Sequence, residues 1–451
     1  MQFDLTKEYL NEIKDEIAVN NSDFINNEII QLHPADIAEI LDELSRDEAK
    51  YVYDHLDGDL RGNVLMELED DVRQRFVETF NSDQLALQLE NLDSDDAVDI
   101  LGEMSIDRQL EVISKMDSDN ASALVKLLNY DENSAGGLMQ TEFIRAKLEW
   151  PINRCVIELR RQAEEVDKVH TIYVVDNDDR LVGTLSLRAL LVANAKSIVS
   201  DVYENTNMAY VYTNEDAEEV ARVMDKYDLI SIPVLNLQKK LVGRITIDDI
   251  VDVIREEADK DFQMASGISE SVESNAGILK MSRARLPWLL IGLLGGVLGA
   301  LVIGQYEDTL QIYPEMALFI PLIAAMGGNV GVQSSAIIVQ GLANNTLGFD
   351  NLLQRLGKEF LVALLNGVVC SILIFIYTII FKDSNELAAT VSIALVLVII
   401  FAGLFGTFVP LMLDKYKIDP ALATGPFITT MNDIVGLFIY FGIGHLMYLW
   451  L

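Results

Sequence analysis

Five apolar stretches fill the last part of the chain, near residues 286–304, 315–343, 359–381, 388–413 and 420–450. Each is long enough to cross a bilayer core of roughly 30 Å, so the spacing predicts five transmembrane helices within residues 281–451. The charge divides at the same place. Residues 1–280 hold 60 Asp and Glu against 27 Lys and Arg, while residues 281–451 hold 10 against 7. An acidic body of this kind repels nucleic acid and anionic lipid heads and concentrates cations. Cys155 and Cys370 lie in different bodies, so no disulfide framework forms, and the N-terminus MQFDLTKEYL lacks a basic, apolar signal.

The charges between the spans predict an orientation. Arg283, Arg285, Arg355, Lys358, Lys415 and Lys417 fall on one side. Glu307, Asp308, Glu315, Asp383 and Glu386 fall on the other, with Lys382 against them. The positive-inside rule then places the N-terminal body in the cytoplasm and the C-terminus outside the plasma (inner) membrane.

Within the acidic body a repeat is visible. An apolar residue recurs every twelve positions, at Leu32, Leu44, Leu56, Leu68, Phe80, Leu92, Met104 and Met116. Three residues after each stands an Asp, from Asp47 through Asp95 to Asp119, with Ala35 as the exception. Each unit reads as a short helix whose Asp lies near the helix start, where it complements the dipole. Stacked units predict an all-α helical-repeat domain over residues 1–130. The segment DENSAGGLMQTEF at 131–143 breaks the period and marks a boundary.

Residues 131–258 then repeat a strand-turn-strand-helix pattern, as LVGTLSLRALL and again as LVGRITIDDIV, sixty residues apart. This duplicated α/β unit (about 131–200 and 201–258) resembles the CBS domain pair, a module that often binds adenine nucleotides or metal. Thr246 and Asp249 match its Ser/Thr-x-x-Asp motif, whose Asp commonly holds a ribose, while in the first copy Ser186 is followed by Ala189. Residues 259–280 continue an acidic helix into a Ser/Gly-rich hinge, giving a connecting segment to the membrane.

Two spans carry chemistry. Span two, PLIAAMGGNVGVQSSAIIVQGLA, is too polar and glycine-rich to face lipid alone; its glycines allow close helix approach or open carbonyls to a water-filled path. Span five begins IDPALATGPFITTMNDIVG, with Asp419 at the cytoplasmic edge and Asp433 about 21 Å along a helix. Gly425, Thr429 and Thr430 precede Asp433 on what reads as one polar stripe. A carboxylate in hydrocarbon persists only beside a partner, a cation or water. No Lys, Arg or His stands at its depth, so Asp433 is protonated, hydrated or paired with a mobile cation. Without Cys or His nearby, oxygen ligands suit a hard divalent: Mg²⁺ foremost, with Ca²⁺ and Mn²⁺ compatible.

The order of these segments, with SAGGLM at 134–139, GGNVGVQS at 327–334 and DPALATGPFITTMND at 419–433, resembles the MgtE family of bacterial magnesium channels over nearly the whole chain. The resemblance implies a homodimer with its pore between subunits. Asp433 would hold hydrated Mg²⁺, and Asn329, Gly328, Gly425 and Thr429 would line the pore. It also implies a gate, in which cytosolic Mg²⁺ bridging acidic faces keeps the body compact and the pore shut. The positions matching the family's sensor acids are Asp216, Glu218, Asp228, Asp249, Asp252, Glu257 and Asp261, with Asp419 at the membrane edge. Lys260 stands where another acid is expected. Asp95 and Asp99, four apart on one helix face, are the candidates in the helical domain. ATP at the CBS pair is a further implied ligand. Two other readings compete: a cation-coupled secondary transporter of divalent metals, and a membrane-anchored CBS sensor of metal or nucleotide. An enzyme is disfavoured, since no nucleophile–base pair or phosphate loop is present.

Overall fold

A computed structural model describes the chain except at residues 1, 2, 165, 167, 207, 270, 271, 273–276, 344, 345, 349, 350, 383, 424 and 451, and except for the side chains of 59, 70, 71, 423 and 448–450. Part of the predicted hinge thus lies outside the described residues. The chain divides into two compact units, Met1–Arg255 and Glu256–Leu451.

The first unit opens with a helix at Lys7–Ala18 and short turns to Ile29, then the helical repeat. Its eight helices run from Pro34–Asp42, Arg46–Tyr53, Gly58–Met66 and Asp70–Val77 to Ser82–Leu89, Ser94–Gly102, Ile106–Ile113 and Ser118–Leu127. Their starts are twelve residues apart, as the sequence period requires. Side-chain caps start several of them. Ser45 and Glu48 form a capping box, with the Ser45 amide donating to Glu48 Oε2 at 2.9 Å. Asn81 and Gln84 form another, exchanging bonds of 2.8 and 3.2 Å. The periodic apolar residues Leu56, Leu68, Phe80 and Met116 are buried in one continuous core. Tyr53, Phe76 and Phe80 pack edge-on or tilted within it.

The two CBS copies share one topology. β1 (Ile144–Lys147) pairs parallel with β2 (Ile172–Val175), which pairs antiparallel with β3 (Leu181–Leu185). β4 (Val211–Tyr212), β5 (Ser231–Leu235) and β6 (Leu241–Thr246) repeat it. Each middle strand carries an irregularity at the same place, Val174/Val175 and Val234/Leu235, which supports the duplication. The copies dock through Leu181 and Leu241, whose amides donate to Lys239 and Asp179 carbonyls, and through a 2.7 Å bond between the Tyr173 hydroxyl and Ser231.

A single helix, Ile247–Ala265, runs through the division between the units. In the second unit five helices are long and apolar enough to cross a membrane: spans one to five, at Ile278–Gln305, Ile320–Ala343, Leu352–Lys382, Asn385–Lys415 and Gly425–Trp450. Span four is central and the most buried, packing against spans two, three and five; span five also packs against spans one and two. Polar groups lock the bundle where lipid offers no partner. The Tyr440 hydroxyl donates to the Met316 carbonyl at 2.9 Å, and Ser371 donates to the Ser392 carbonyl at 2.9 Å.

Candidate functional sites in the membrane and in an acidic cavity

Span five meets span two through missing side chains. A Cβ on Gly328 would lie 3.1 Å from Thr429 Cγ2 and 3.8 Å from Asp433 Oδ1, so glycine brings the backbone of span two up to this carboxylate. At Gly331 a Cβ would overlap the Asn432 amide. Asn432 is 1% exposed, and its Nδ2 donates to the Gly327 carbonyl at 3.2 Å. The residue beside Asp433 therefore fixes the register between the two helices. This interlock of Asn432 with Gly327 and Gly331 is not marked in the sequence, because nothing local pairs positions a hundred residues apart.

Thr429 donates its hydroxyl to the Gly425 carbonyl at 3.0 Å, which keeps that hydroxyl on its own helix. Gly425 starts span five at φ +47°, and a Cβ there would strike the Ala265 carbonyl at the end of the Ile247–Ala265 helix. Thr430 leaves the predicted stripe: its methyl fills the notch at Gly295 of span one. Asn329 and Asp419 are exposed, and Asp433 is half-buried. Asp419 Oδ1 caps the next turn through the Ala421 amide at 2.8 Å.

A second carboxylate packs between spans in the helix bundle. Glu359 of span three accepts a bond from Ser334 Oγ of span two at 2.7 Å, and Gly403 of span four leaves it room. Ser334 lies six residues beyond Gly328, about 9 Å along the helix. Glu359 follows Arg355 and Lys358 and so reads as one more charge of a cytoplasmic edge.

In the first unit the acids gather at a cavity of about 1120 Å³ lined by Asp95, Asp96, Asp248, Asp249 and Asp252, with Lys168 also on its wall. Asp95 is 6% exposed, whereas its repeat counterparts Asp47, Asp83, Asp107 and Asp119 are exposed. Burial, then the charges of Asp249 and Asp96, hold the Asp95 carboxyl well above the usual carboxylate range. Burial pushes Asp96 up to about 7, with Asp249 as the first of its repelling neighbours. Asp249 is pushed up to about 6 by burial, although bonds from Thr246, 2.8 Å from its hydroxyl and 3.3 Å from its amide, act the other way. Asp99, one turn on from Asp95, is exposed and feels the charges of Glu132, Arg73 and Asp249.

The other predicted sensor positions are spread out. Asp216 caps the Ala217–Lys226 helix through the Glu218 amide at 3.0 Å; Asp216, Glu218 and Asp228 are exposed. Lys260 pairs with Glu257 at 3.0 Å, and its ammonium is held above its ordinary value first by that bond, with Asp419 and Asp261 adding to it. Among the described residues no three His, Cys, Asp or Glu side chains converge into a ready metal cage.

Similar proteins carry the same parts in the same order. Residues 32–133 match the MgtE intracellular N domain, residues 135–196 and 199–256 match CBS domains, and residues 320–443 match a divalent cation transporter family. The magnesium transporter MgtE of Bacillus subtilis is 35% identical over 70% of this chain and 70% of its own. That of Thermus thermophilus is 35% identical over 71% of each. Among solved structures, the soluble part of a magnesium transporter is similar at a TM-score of 0.51 and 25% identity, covering 56% of this chain and 99% of that one. The cytosolic domain of the Mg²⁺ channel MgtE in complex with ATP is similar at 0.51 and 29%, covering 54% and 99%. The family match rests on the same segments that build the acidic cavity and the paired spans two and five: the chain belongs to the MgtE family of magnesium transporters.

Proposed function

We propose that this chain is a Mg²⁺ channel for magnesium uptake, built as a homodimer and shut by cytosolic Mg²⁺. The observation that carries the reading is Asp433, a half-buried carboxylate which glycine notches and the Asn432 clamp hold against span two. A two-fold axis would set two such carboxylates across a pore, with Asn329 exposed on the same helix as Gly328. Few carboxylates plus neutral oxygens suit an ion that keeps its water shell, as Mg²⁺ does.

The gate is read from the cavity. Asp95, Asp96 and Asp249 crowd one another, so the compact arrangement carries electrostatic strain that a divalent cation relieves. Such a cation favours the compact state by its differential affinity. The Ala265 carbonyl against Gly425 gives the connecting helix a direct hold on the start of span five. We further read Thr246 and Asp249 as contacts for an adenine nucleotide, in line with the ATP complex of the related cytosolic domain.

Purified protein in liposomes under a Mg²⁺ gradient tests the channel. The parent should pass Mg²⁺ and Asp433→Ala should not. Equal flux through both would end the pore assignment.

A further inference from the structure

The segment Ser134–Glu142, which separates helical repeat from CBS pair in the sequence, is a strap along the edge of the second CBS copy. The Ala135 amide donates to the Glu215 carbonyl at 2.7 Å and the Gly136 amide to the Thr213 carbonyl at 2.9 Å. Gln140 and Arg244 exchange backbone bonds of 2.9 and 3.0 Å. Gly243 permits this approach, because a Cβ there would lie 2.8 Å from the Gln140 carbonyl.

The Gln140 side chain uses both ends of its amide. Nε2 donates to Asp95 Oδ2 at 3.1 Å, and Oε1 accepts from Arg244 Nε at 2.8 Å. Arg244 Nη1 donates onward to the Lys168 carbonyl at 3.3 Å, on the cavity wall. Asp95, Gln140 and Arg244 are 6%, 4% and 3% exposed. A side chain set between a guanidinium, which only donates, and an ionised carboxylate, which only accepts, must accept from the first and donate to the second; the Gln140 amide does both, and its orientation is fixed by its partners.

We propose that Gln140 is a positioning residue of the cation sensor, one that aims the Asp95 carboxylate into the cavity and ties it to Arg244 of the second CBS copy. This rests on the reading of the cavity as a Mg²⁺ sensor. Occupancy at Asp95 weakens or strengthens its bond to Gln140, and the change passes through Arg244 to the Lys168 backbone. Outer-sphere partners of this kind commonly tune metal affinity by about 10–100-fold.

The test is amide hydrogen exchange of residues 131–143 in the full-length protein in detergent, titrated with MgCl₂. Gln140→Leu should raise the Mg²⁺ midpoint roughly tenfold, with the protection reached at saturating Mg²⁺ kept. Gln140→Asn, too short to reach both partners yet still polar, should move the midpoint the same way and covers the case of a Leu variant that does not fold. In an Asp95→Asn background, Gln140→Leu should add nothing. Midpoints within twofold of the parent for both variants, or shifts that multiply with Asp95→Asn, would overturn the proposal. A parent that shows no Mg²⁺-dependent protection would instead overturn the sensor reading, so the two failures are distinct.

Discussion

Asp433 and Asp95 are both carboxylates drawn out of water, yet they are held in opposite ways. Asp433 stands apart from other acids, among glycine, threonine and an asparagine clamp. Asp95 is crowded by Asp96 and Asp249 and steadied by one neutral amide. The first arrangement suits an ion in passage, since one carboxylate per subunit, uncrowded by other acids of its own chain, attracts without trapping. The second suits a switch, since the crowd is stable only when its charge is cancelled by protons or by a cation.

The largest effect expected from this contrast is at the membrane site. Asp433→Asn keeps the shape and removes the charge, and Mg²⁺ flux should fall close to the protein-free background, measured in liposomes against an unchanged insertion level. Next is the interlock beside it. Gly331→Ala places a methyl on Asn432, and overpacking of this kind costs about 1–3 kcal/mol; thermal melting in detergent should drop while the first unit's Mg²⁺-dependent protection is kept. A melt equal to the parent's would show that the Asn432 clamp does not set the register.

At the cavity the expected effects are of the opposite sign. Asp249→Asn removes part of the crowding, so the compact cytosolic arrangement should persist at lower Mg²⁺, read as a midpoint moved down by severalfold in hydrogen exchange. The pH dependence follows from the same groups. Asp95, Asp96 and Asp249 all have raised values in the folded state, so their protonation contributes stability that is full below the ordinary carboxylate range and is lost as pH rises, for Asp96 and Asp249 through about 7 and about 6. Without Mg²⁺ the thermal midpoint of the first unit should therefore fall between pH 5 and pH 8, by a calorimetric scan, and saturating Mg²⁺ should flatten that slope. A rise over the same window would contradict the account.

The smallest effect belongs to Lys260. Its pair with Glu257 is largely exposed, and such pairs contribute little, so Lys260→Ala should raise the Mg²⁺ midpoint by no more than about twofold.

The two sites also differ in how far the sequence revealed them. A lone Asp in an apolar run announces itself, and the glycine-rich span two advertises a close approach. The five spans, the twelve-residue period and the duplicated CBS unit were legible because each is a periodic pattern. Asp95 is a candidate by sequence, with Asp99, but the same periodicity does not set it apart from the other repeat acids. It occupies the same repeat position as Asp83 and Asp107, and what distinguishes it, burial and a bond from the strap residue Gln140, comes from outside the repeat. Asp96 and Asp248 were missed because their crowding with Asp249 arises from tertiary contact alone. Glu359 was masked by neighbouring Arg355 and Lys358, whereas its bond to Ser334 is interhelical.

The most direct test of a passing site and a switching site for one ion is Mg²⁺ current through the full-length protein in a planar bilayer, as Mg²⁺ is raised on the side facing the acidic body. Conduction is expected at low Mg²⁺ on that side and closure as Mg²⁺ is raised, with an Asp95→Asn/Asp249→Asn protein whose closure no longer tracks the titration in the parent's range. Current that is indifferent to Mg²⁺ on the acidic side, while still abolished by Asp433→Asn, would contradict the account.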